Sequence, residues 1–314
     1  MIGSEYRDFL ERTLEAATRW GPYNAAVLRA LELGTERHLL EPAREFERSG
    51  VTAGDLKVER KSTQDMLRPI WDKGLFGYEI THWPAGPGST RAMELMYGNN
   101  PLPYDAKIYY SEAFLLTRDL AHAVRSRRDI LRDLLVREVN RRPGTLSILD
   151  LACGPCQSLR ESLPLLNEPS RIRLRGIDLD ELAQFNNRGF FQRDHLLSWE
   201  FEVANVLTTD FGTREHDIVY STGLYDYIPS SRLADLWRKV YASVKPDGIA
   251  ILAVKDGRMF CPLLYRWAVD WSQFHVRDPK EFESIMTRAE LPTPESIERD
   301  ATGCILVYVI RKPR

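Results

Sequence analysis

Two carboxylates and a turn of small residues carry the chemistry that is legible in this chain. Ser147-Ile-Leu-Asp150 is an apolar run ending in an acid, and Leu151-Ala-Cys-Gly-Pro-Cys156 follows it. An apolar run bounded by a turn reads as a fully buried parallel strand. The small residues must turn sharply and open a helix, marked by Leu159, Leu163 and Leu166. A strand, a tight turn and a helix N-terminus make a site for a nucleotide-like ligand, because free backbone N–H groups point out of such a turn. Arg173-Leu-Arg-Gly-Ile-Asp178 is a second strand ending in an acid. Asp178 stands roughly 20 or more residues further on, where a carboxylate accepting ribose hydroxyls is expected. Asp180 is a second candidate for that role, and the structural alternative for either acid is a helix cap.

Cys153-Gly-Pro-Cys156 admits two readings. As CxxC it spells a thioredoxin-type redox pair, whose reactivity depends on a helix N-terminus. As Asp150-x-Ala152-x-Gly154-x-Cys156 it is a relaxed form of the DxGxGxG loop of S-adenosylmethionine (SAM) enzymes. The redox reading needs a small domain beginning just before the motif, whereas a long helical segment precedes it here. It also leaves Asp150, Asp178 and the later strands without a task.

The elements around these residues set the frame. At 314 residues the chain has room for one large or two modest domains. A hydrophobic content of 43% with 28% charged residues fits a soluble globular protein. A net charge of −2 gives no electrostatic footprint for nucleic acid. Four cysteines make no disulfide framework, which suits a reducing cytoplasm. No apolar run reaches transmembrane length, and Ser4-Glu-Tyr-Arg-Asp8 does not read as a signal peptide. No metal-ligand spacing stands out.

The first hundred or so residues read as helical. Tyr6, Phe9, Leu10, Leu14, Ala17 and Trp20 recur at helical spacing until Gly21-Pro22. Further helices are expected over Ala25–Leu40, around Asp65–Trp71 and, as one or two long helices, over Asp105–Arg142. Turn-rich stretches interrupt at 83–89 and 98–103. From Ser147 the rhythm changes to alternating strand and helix. Strands are expected at Trp199–Val206, His216–Ser221 and Gly248–Val254, with helices at Glu181–Leu197 and Arg232–Val244. Such alternation argues for a parallel sheet with helices on both faces. Ser296–Ile310 reads as an antiparallel hairpin closing the sheet. The expected fold is thus α/β and Rossmann-like, a seven-stranded sheet of five parallel strands plus a C-terminal antiparallel hairpin. Residues 1–142 are expected to form a helical lid with connecting helices, and residues 143–314 the catalytic domain.

That layout, with these motifs, resembles the class I SAM-dependent methyltransferases. Asp217-Ile-Val-Tyr-Ser-Thr-Gly-Leu-Tyr-Asp-Tyr227 is similar to that family's fourth-strand motif, and Val244-Lys-Pro-Asp-Gly248 to the turn before its fifth strand. More narrowly, the chain resembles the bacterial 3-hydroxy-fatty-acid methyl ester synthases and their uncharacterised relatives. Gly223-Leu-Tyr-Asp-Tyr227 matches their Gly-Leu-Phe-Asp-Tyr, Trp267-Ala-Val-Asp-Trp271 their Trp-rich segment, and Arg299-Asp-x-Thr-Gly303 their final hairpin. Ala123-Val-Arg-Ser-Arg-Arg-Asp-Ile-Leu131 also resembles theirs. Pro87–Met93 departs from that group's Gly-Tyr-Ala-Gly-Asp-Tyr element, so the acceptor does not carry over.

The resemblance implies SAM as cofactor and assigns roles. Asp150 should reach the cofactor's ammonium through water, while Ala152 and Gly154 let the backbone approach. Asp178, with Asp180 second, should accept the ribose hydroxyls. Asn205 and the Val206 backbone lie where the adenine edge is read. Ser221, Thr222 and Gly223 should present carbonyls near the methionine ammonium. Tyr109, Tyr110, Tyr225, Tyr227, Trp267 and Trp271 are expected to rim the sulfonium, where an aromatic face gains on the order of 1 kcal/mol or more. The structural alternative is that Trp267 and Trp271 pack in a core. Asp226 and His275 are the titratable groups that could act as a base, and Tyr225, Asp226, Tyr227 and His275 are the catalytic candidates. Arg125, Arg128 and Arg132 read as a solvated helix face.

The implied function is methyl transfer to a small-molecule acceptor, such as a carboxylate, in secondary metabolism or signalling, with neither nucleic acid nor membrane as partner. An alternative keeps the cofactor and cyclises SAM alone to azetidine-2-carboxylate or aminocyclopropane carboxylate, releasing methylthioadenosine. A lid over residues 1–104, hinged at 84–103, would cover the carboxyl ends of the strands.

Overall fold

The apolar runs read as buried strands assemble into one sheet. The computed structural model describes residues 2–82, 88–102, 105–193, 196–271 and 273–314. The expected turns at 83–87, and Pro103 of the second turn, lie outside the described residues. The chain divides into two compact units: residues 1–121 with 261–274, and residues 122–260 with 275–314.

Among the described residues of the second unit, seven strands form a sheet. They are β1 (Leu146–Leu151), β2 (Ile172–Asp178), β3 (Ser198–Val203), β4 (His216–Ser221), β5 (Val244–Lys255), β6 (Ser296–Arg299) and β7 (Ile305–Arg311). Their order is β3-β2-β1-β4-β5-β7-β6. Strands β1 to β5 pair in parallel, while β7 runs antiparallel to β5 and β6 to β7. This is the Rossmann-like architecture expected from the alternation. Because β2 lies on one side of β1 and β4 on the other, the crossovers diverge there, which opens a crevice at the carboxyl end of β1.

The sheet core explains why these strands are apolar throughout. Leu149, Leu151, Val219, Ala250, Leu252 and Leu306 join one buried cluster with Leu233, Trp237 and Val240 of the helix Ser230–Ser243. Phe282 and Ile285 of the helix Pro279–Arg288 complete it. Residues of opposite parity, such as Ile148, Ile218, Ile249 and Ile251, are equally buried, so both sheet faces are covered. The final hairpin is held by its turn. Asp300 accepts from the backbone N–H groups of Thr302 and Ile305, and Arg299 reaches both the Gly303 carbonyl and buried Asp256. The Arg299-Asp-x-Thr-Gly303 motif is therefore architectural.

Some boundaries shift for local reasons. β5 starts at Val244 rather than Gly248, with an irregular register against β4 that lets Pro246 sit within it. β3 stops at Val203, because Asn205 turns the chain. The helix begun at Glu181 ends at Phe191, short of Leu197, and residues 194–195 are not among those described.

The first unit is helical, with helices at Ile2–Ala17, Ala25–Thr35, Glu41–Arg48, Ala53–Trp71, Leu75–His82, Thr90–Gly98 and Ala106–Leu116. Tyr6, Leu10, Leu14 and Ala17 bury one face of the first helix, whereas Trp20 falls past its end and is exposed. The third expected helix begins earlier, at Ala53, because Thr52 caps it by accepting from the Asp55 N–H. Residues 261–274 join this unit through specific bonds. The Trp267 indole donates to Glu47 at 2.7 Å, and the Gln64 amide donates to the Arg266 carbonyl at 2.8 Å.

Asp105–Arg142 splits at Thr117 into the helices Ala106–Leu116 and Asp119–Asn140. The units part at residue 121 rather than 142, since the second helix is bonded to the sheet. Glu138 pairs with Arg311, the Arg171 guanidinium donates to the Val139 carbonyl, and Ser126 accepts from the Ala301 N–H. Among the described residues no helix is long and apolar enough to cross a membrane. Nor do they hold a group of three or more His, Cys, Asp or Glu suited to a metal ion.

Candidate active site

The turn after β1 stores backbone strain. Ala152, Gly154 and Cys156 take φ values of 51°, 47° and 49°. Glycine adopts that region freely, whereas Ala152 and Cys156 each give up about 1–2 kcal/mol. Strain of this kind persists where the surroundings over-determine it, as at ligand sites. Here the Cys153 N–H donates to the Ile177 carbonyl at 3.1 Å and the Cys156 N–H to the Cys153 carbonyl at 2.8 Å. A Cβ built on Gly154 would meet no atom within 4 Å, so the turn opens onto free space.

Asp178 ties this turn to β2. One carboxylate oxygen accepts from the Gly154 N–H at 2.7 Å and the other from the Asp180 N–H at 2.9 Å. Each oxygen keeps a lone pair for a further donor. Partial burial holds its pKa above the usual carboxylate range, against the pull of those N–H groups.

Asp150 is almost completely buried, and burial pushes its pKa up to about 7, with Tyr220 and Cys156 near enough to ease it. Its Oδ1 nevertheless has no well-formed hydrogen bond among the described residues. An orphaned buried acceptor costs about 1–3 kcal/mol and calls for a donor. An open glycine turn, a carboxylate with spare acceptor capacity and an unsatisfied acid thus fit a ligand with a ribose and an ammonium group. The thiols do not suit redox chemistry. Cys156 draws the Cys153 pKa down, but burial together with the nearby Asp150 and Asp178 outweighs it and leaves it at about 11, and burial holds Cys156 well above the ordinary value. Buried, protonated thiols are inert.

The other expected residues divide. Asp180 caps the helix Glu181–Phe191 by accepting from the Leu182 N–H, the structural of its two roles. The exposed Asn205 side chain accepts from the Leu207 N–H, and Val206 is buried in the core. Ser221 ends β4 fully buried, and Thr222 and Gly223 lie half-buried beyond it. Tyr109 and Trp271 belong to the helical unit, as do Tyr110 and Trp267. Tyr109 packs between Tyr23 and Tyr110, each at 5.0 Å, and Trp271 packs on Phe274 at 5.0 Å. The Tyr110 hydroxyl bridges the Gly21 carbonyl and the Asn24 N–H.

The segment after β4 corrects the expected rim. An extended backbone would aim Tyr225 and Tyr227 the same way, but residues Tyr225–Tyr227 form a turn of 3₁₀ helix. Tyr225 points into the core, fully buried, edge-on to Trp237 at 5.7 Å. Tyr227 stays half-buried, its ring 6.0 Å from the Lys255 ammonium. Asp226 is buried and doubly engaged, accepting from the Lys255 backbone N–H at 2.9 Å and its ammonium at 2.7 Å. It holds a buried lysine in place instead of standing free as a base. The His275 side chain is exposed, and its backbone N–H donates to the Asp226 carbonyl at 2.8 Å. Sequence reasoning passed over Lys255 and Tyr220. The signal for Lys255 was a cation closing the apolar run Gly248–Val254.

Comparison with known proteins bears on this site. Residues 148–248, from β1 to the start of the β5 core, match the family described as a methyltransferase domain. No curated protein matches the chain. Among solved structures, it is similar to a "possible exported protein" from Bordetella parapertussis, at 16% identity and a TM-score of 0.61 over 100% of this chain and 97% of that one. An S-adenosylmethionine-dependent methyltransferase from Mesorhizobium loti aligns at 18% identity and a TM-score of 0.45 over 60% of this chain and 98% of that one. The 1,6-didemethyltoxoflavin-N1-methyltransferase of Burkholderia thailandensis aligns at 17% identity and a TM-score of 0.44 over 61% and 79%. The sheet unit thus has a Rossmann-like fold whose residues 148–248 match a methyltransferase domain, and its cofactor is S-adenosyl-L-methionine.

Proposed function

We propose that this protein is a SAM-dependent methyltransferase acting on a small-molecule acceptor, with a carboxylate the favoured acceptor. The observation that carries the reading is the strained turn 152–156, pinned by Asp178 and opening beside the unsatisfied Asp150. The bound cofactor supplies a methyl group already activated on a sulfonium. The chain's own work is then orientation and exclusion of water. Asp178 would accept the ribose hydroxyls, Asp150 the ammonium, and the backbone at Gly154 would let the amino-acid end lie close. The neighbourhoods of Asn205 and Ser221 to Gly223 would border the adenine and the methionine. Asp226 is committed to Lys255, which favours an acceptor that brings its own lone pair and needs no proton removed. The buried thiols suit a reducing compartment such as the cytoplasm.

Incubation with SAM bearing a trideuterated methyl group and a panel of small carboxylic acids tests this by mass spectrometry. Methyl esters carrying the label are expected. Label on amines or alcohols alone would retire the carboxylate acceptor, and no labelled product from any acceptor would retire methyl transfer.

Asp150 gives this reading a pH signature. Its folded pKa of about 7 stands above the unfolded value. Its contribution to apo stability is therefore full below the unfolded value and lost as pH rises through about 7. An ammonium ligand works in the opposite direction, because it needs the ionised acid. The affinity for S-adenosylhomocysteine should tighten about tenfold from pH 6 to pH 8, as the ionised fraction climbs. A flat calorimetric profile, unaltered in Asp150→Asn, would take Asp150 out of the site.

A further inference from the structure

Arg127 is a buried cation that the sheet unit does not neutralise. It lies on the helix Asp119–Asn140 and is only 4% exposed. Its neighbours on that helix are paired: Arg128 with Asp129 and Glu161, and Arg132 with Asp129 and Asp133. Arg127 forms no hydrogen bond or ion pair with any described residue, and its Nε is buried without a partner. A guanidinium keeps its proton in a protein, so the charge cannot be relieved by titration. Buried unpaired charge is costly, and it persists where a ligand supplies the counter-charge.

The surrounding groups do not supply it. Lys255 is matched by Asp226 at 2.7 Å. Arg277 spends its donors on Ser230 and on the carbonyls of Tyr225, Ile228 and His275, and pairs with Glu281 at 3.5 Å. Arg127 is near enough to Lys255 for the two cations to oppose each other, and the carboxylate of Asp226 is already engaged by Lys255. The two Nη atoms of Arg127 lie 3.5 and 3.9 Å from where a Cβ on Gly223 would stand. Gly223 follows the carboxyl end of β4, the end of the sheet at which such folds bind ligands. The planar guanidinium fork matches a carboxylate in bidentate geometry.

We infer that Arg127 binds a carboxylate beside Gly223, a role that rests on the proposed cofactor reading of the same strand ends. Two sources share that chemistry: the amino-acid carboxylate of the cofactor, or an acidic acceptor.

Calorimetry on the full chain separates them, using wild type and Arg127→Met. The probes are S-adenosylhomocysteine, methylthioadenosine, which lacks the amino-acid carboxylate, and octanoate added to the S-adenosylhomocysteine complex. If the cofactor is the source, Arg127→Met weakens S-adenosylhomocysteine tenfold or more and leaves methylthioadenosine unchanged. If an acceptor is the source, both nucleosides bind as in wild type and octanoate binding is lost. In either case the apo melting temperature of the variant should hold or rise, since an uncompensated buried charge has been removed. Every affinity unchanged in Arg127→Met overturns the assignment. So does a loss of methylthioadenosine binding with a lowered apo melting temperature, which would make Arg127 structural. A wild-type protein that binds neither nucleoside would instead sink the cofactor reading beneath it.

Discussion

Asp178→Ala is expected to weaken S-adenosylhomocysteine binding by on the order of a hundredfold or more. Two ribose hydroxyls would lose a charged acceptor, at about 1.5–3 kcal/mol each, and every 1.4 kcal/mol is a factor of ten. The same change removes the partner of the Gly154 N–H. The turn proposed to lie against the cofactor would then lose one of its two ties to β2, keeping the Cys153 N–H to Ile177 carbonyl bond, so the two losses act together. Asp178→Asn should fall between, because an amide keeps one acceptor oxygen but turns a donor toward one of the two N–H groups. Titration calorimetry on both variants reads this directly. Unchanged affinity in Asp178→Ala would move the ribose contact elsewhere in the sheet unit.

Tyr225→Ala is expected to cost about 3–5 kcal/mol of stability, as truncating a fully buried aromatic does. The ring packs edge-on to Trp237 within the buried cluster that also holds Leu233 and Ile228, and alanine would leave a cavity there. Tyr225→Phe should be neutral or slightly stabilising, because the hydroxyl is buried without a hydrogen bond among the described residues. Urea unfolding of the two variants distinguishes this core role from the cation–π role suggested by sequence. A rim residue would give the reverse pattern, with stability intact and turnover lost in Tyr225→Ala.

The contrast between Asp178 and Tyr225 shows what could be read from residues alone. The β1 strand and its turn were legible because a buried parallel strand is apolar nearly end to end and only small residues pass so tight a corner. The hairpin was legible through Asp300, Thr302 and Gly303, whose local bonds close the turn. Tyr225 was misread because a single 3₁₀ turn leaves no periodic trace in three residues. Asp226 looked like a free base because its partner, Lys255, lies 29 residues away on another strand. Arg127 lies between Arg125 and Arg128, which with Arg132 read as a solvated helix face, and only tertiary packing singles it out as buried. The union of residues 261–274 with the N-terminal helices was likewise invisible, since it depends on bonds such as Trp267 to Glu47 across 220 residues.

The central claim is that the methyl group of SAM leaves for an acceptor while the amino-acid chain stays on sulfur. Chromatographic identification of the nucleoside formed from SAM, with and without a panel of small acids, tests it most directly. S-adenosylhomocysteine that accumulates only when an acceptor is present is the predicted result. Methylthioadenosine released from SAM alone would contradict it, because that product requires the amino-acid chain itself to cyclise or be eliminated.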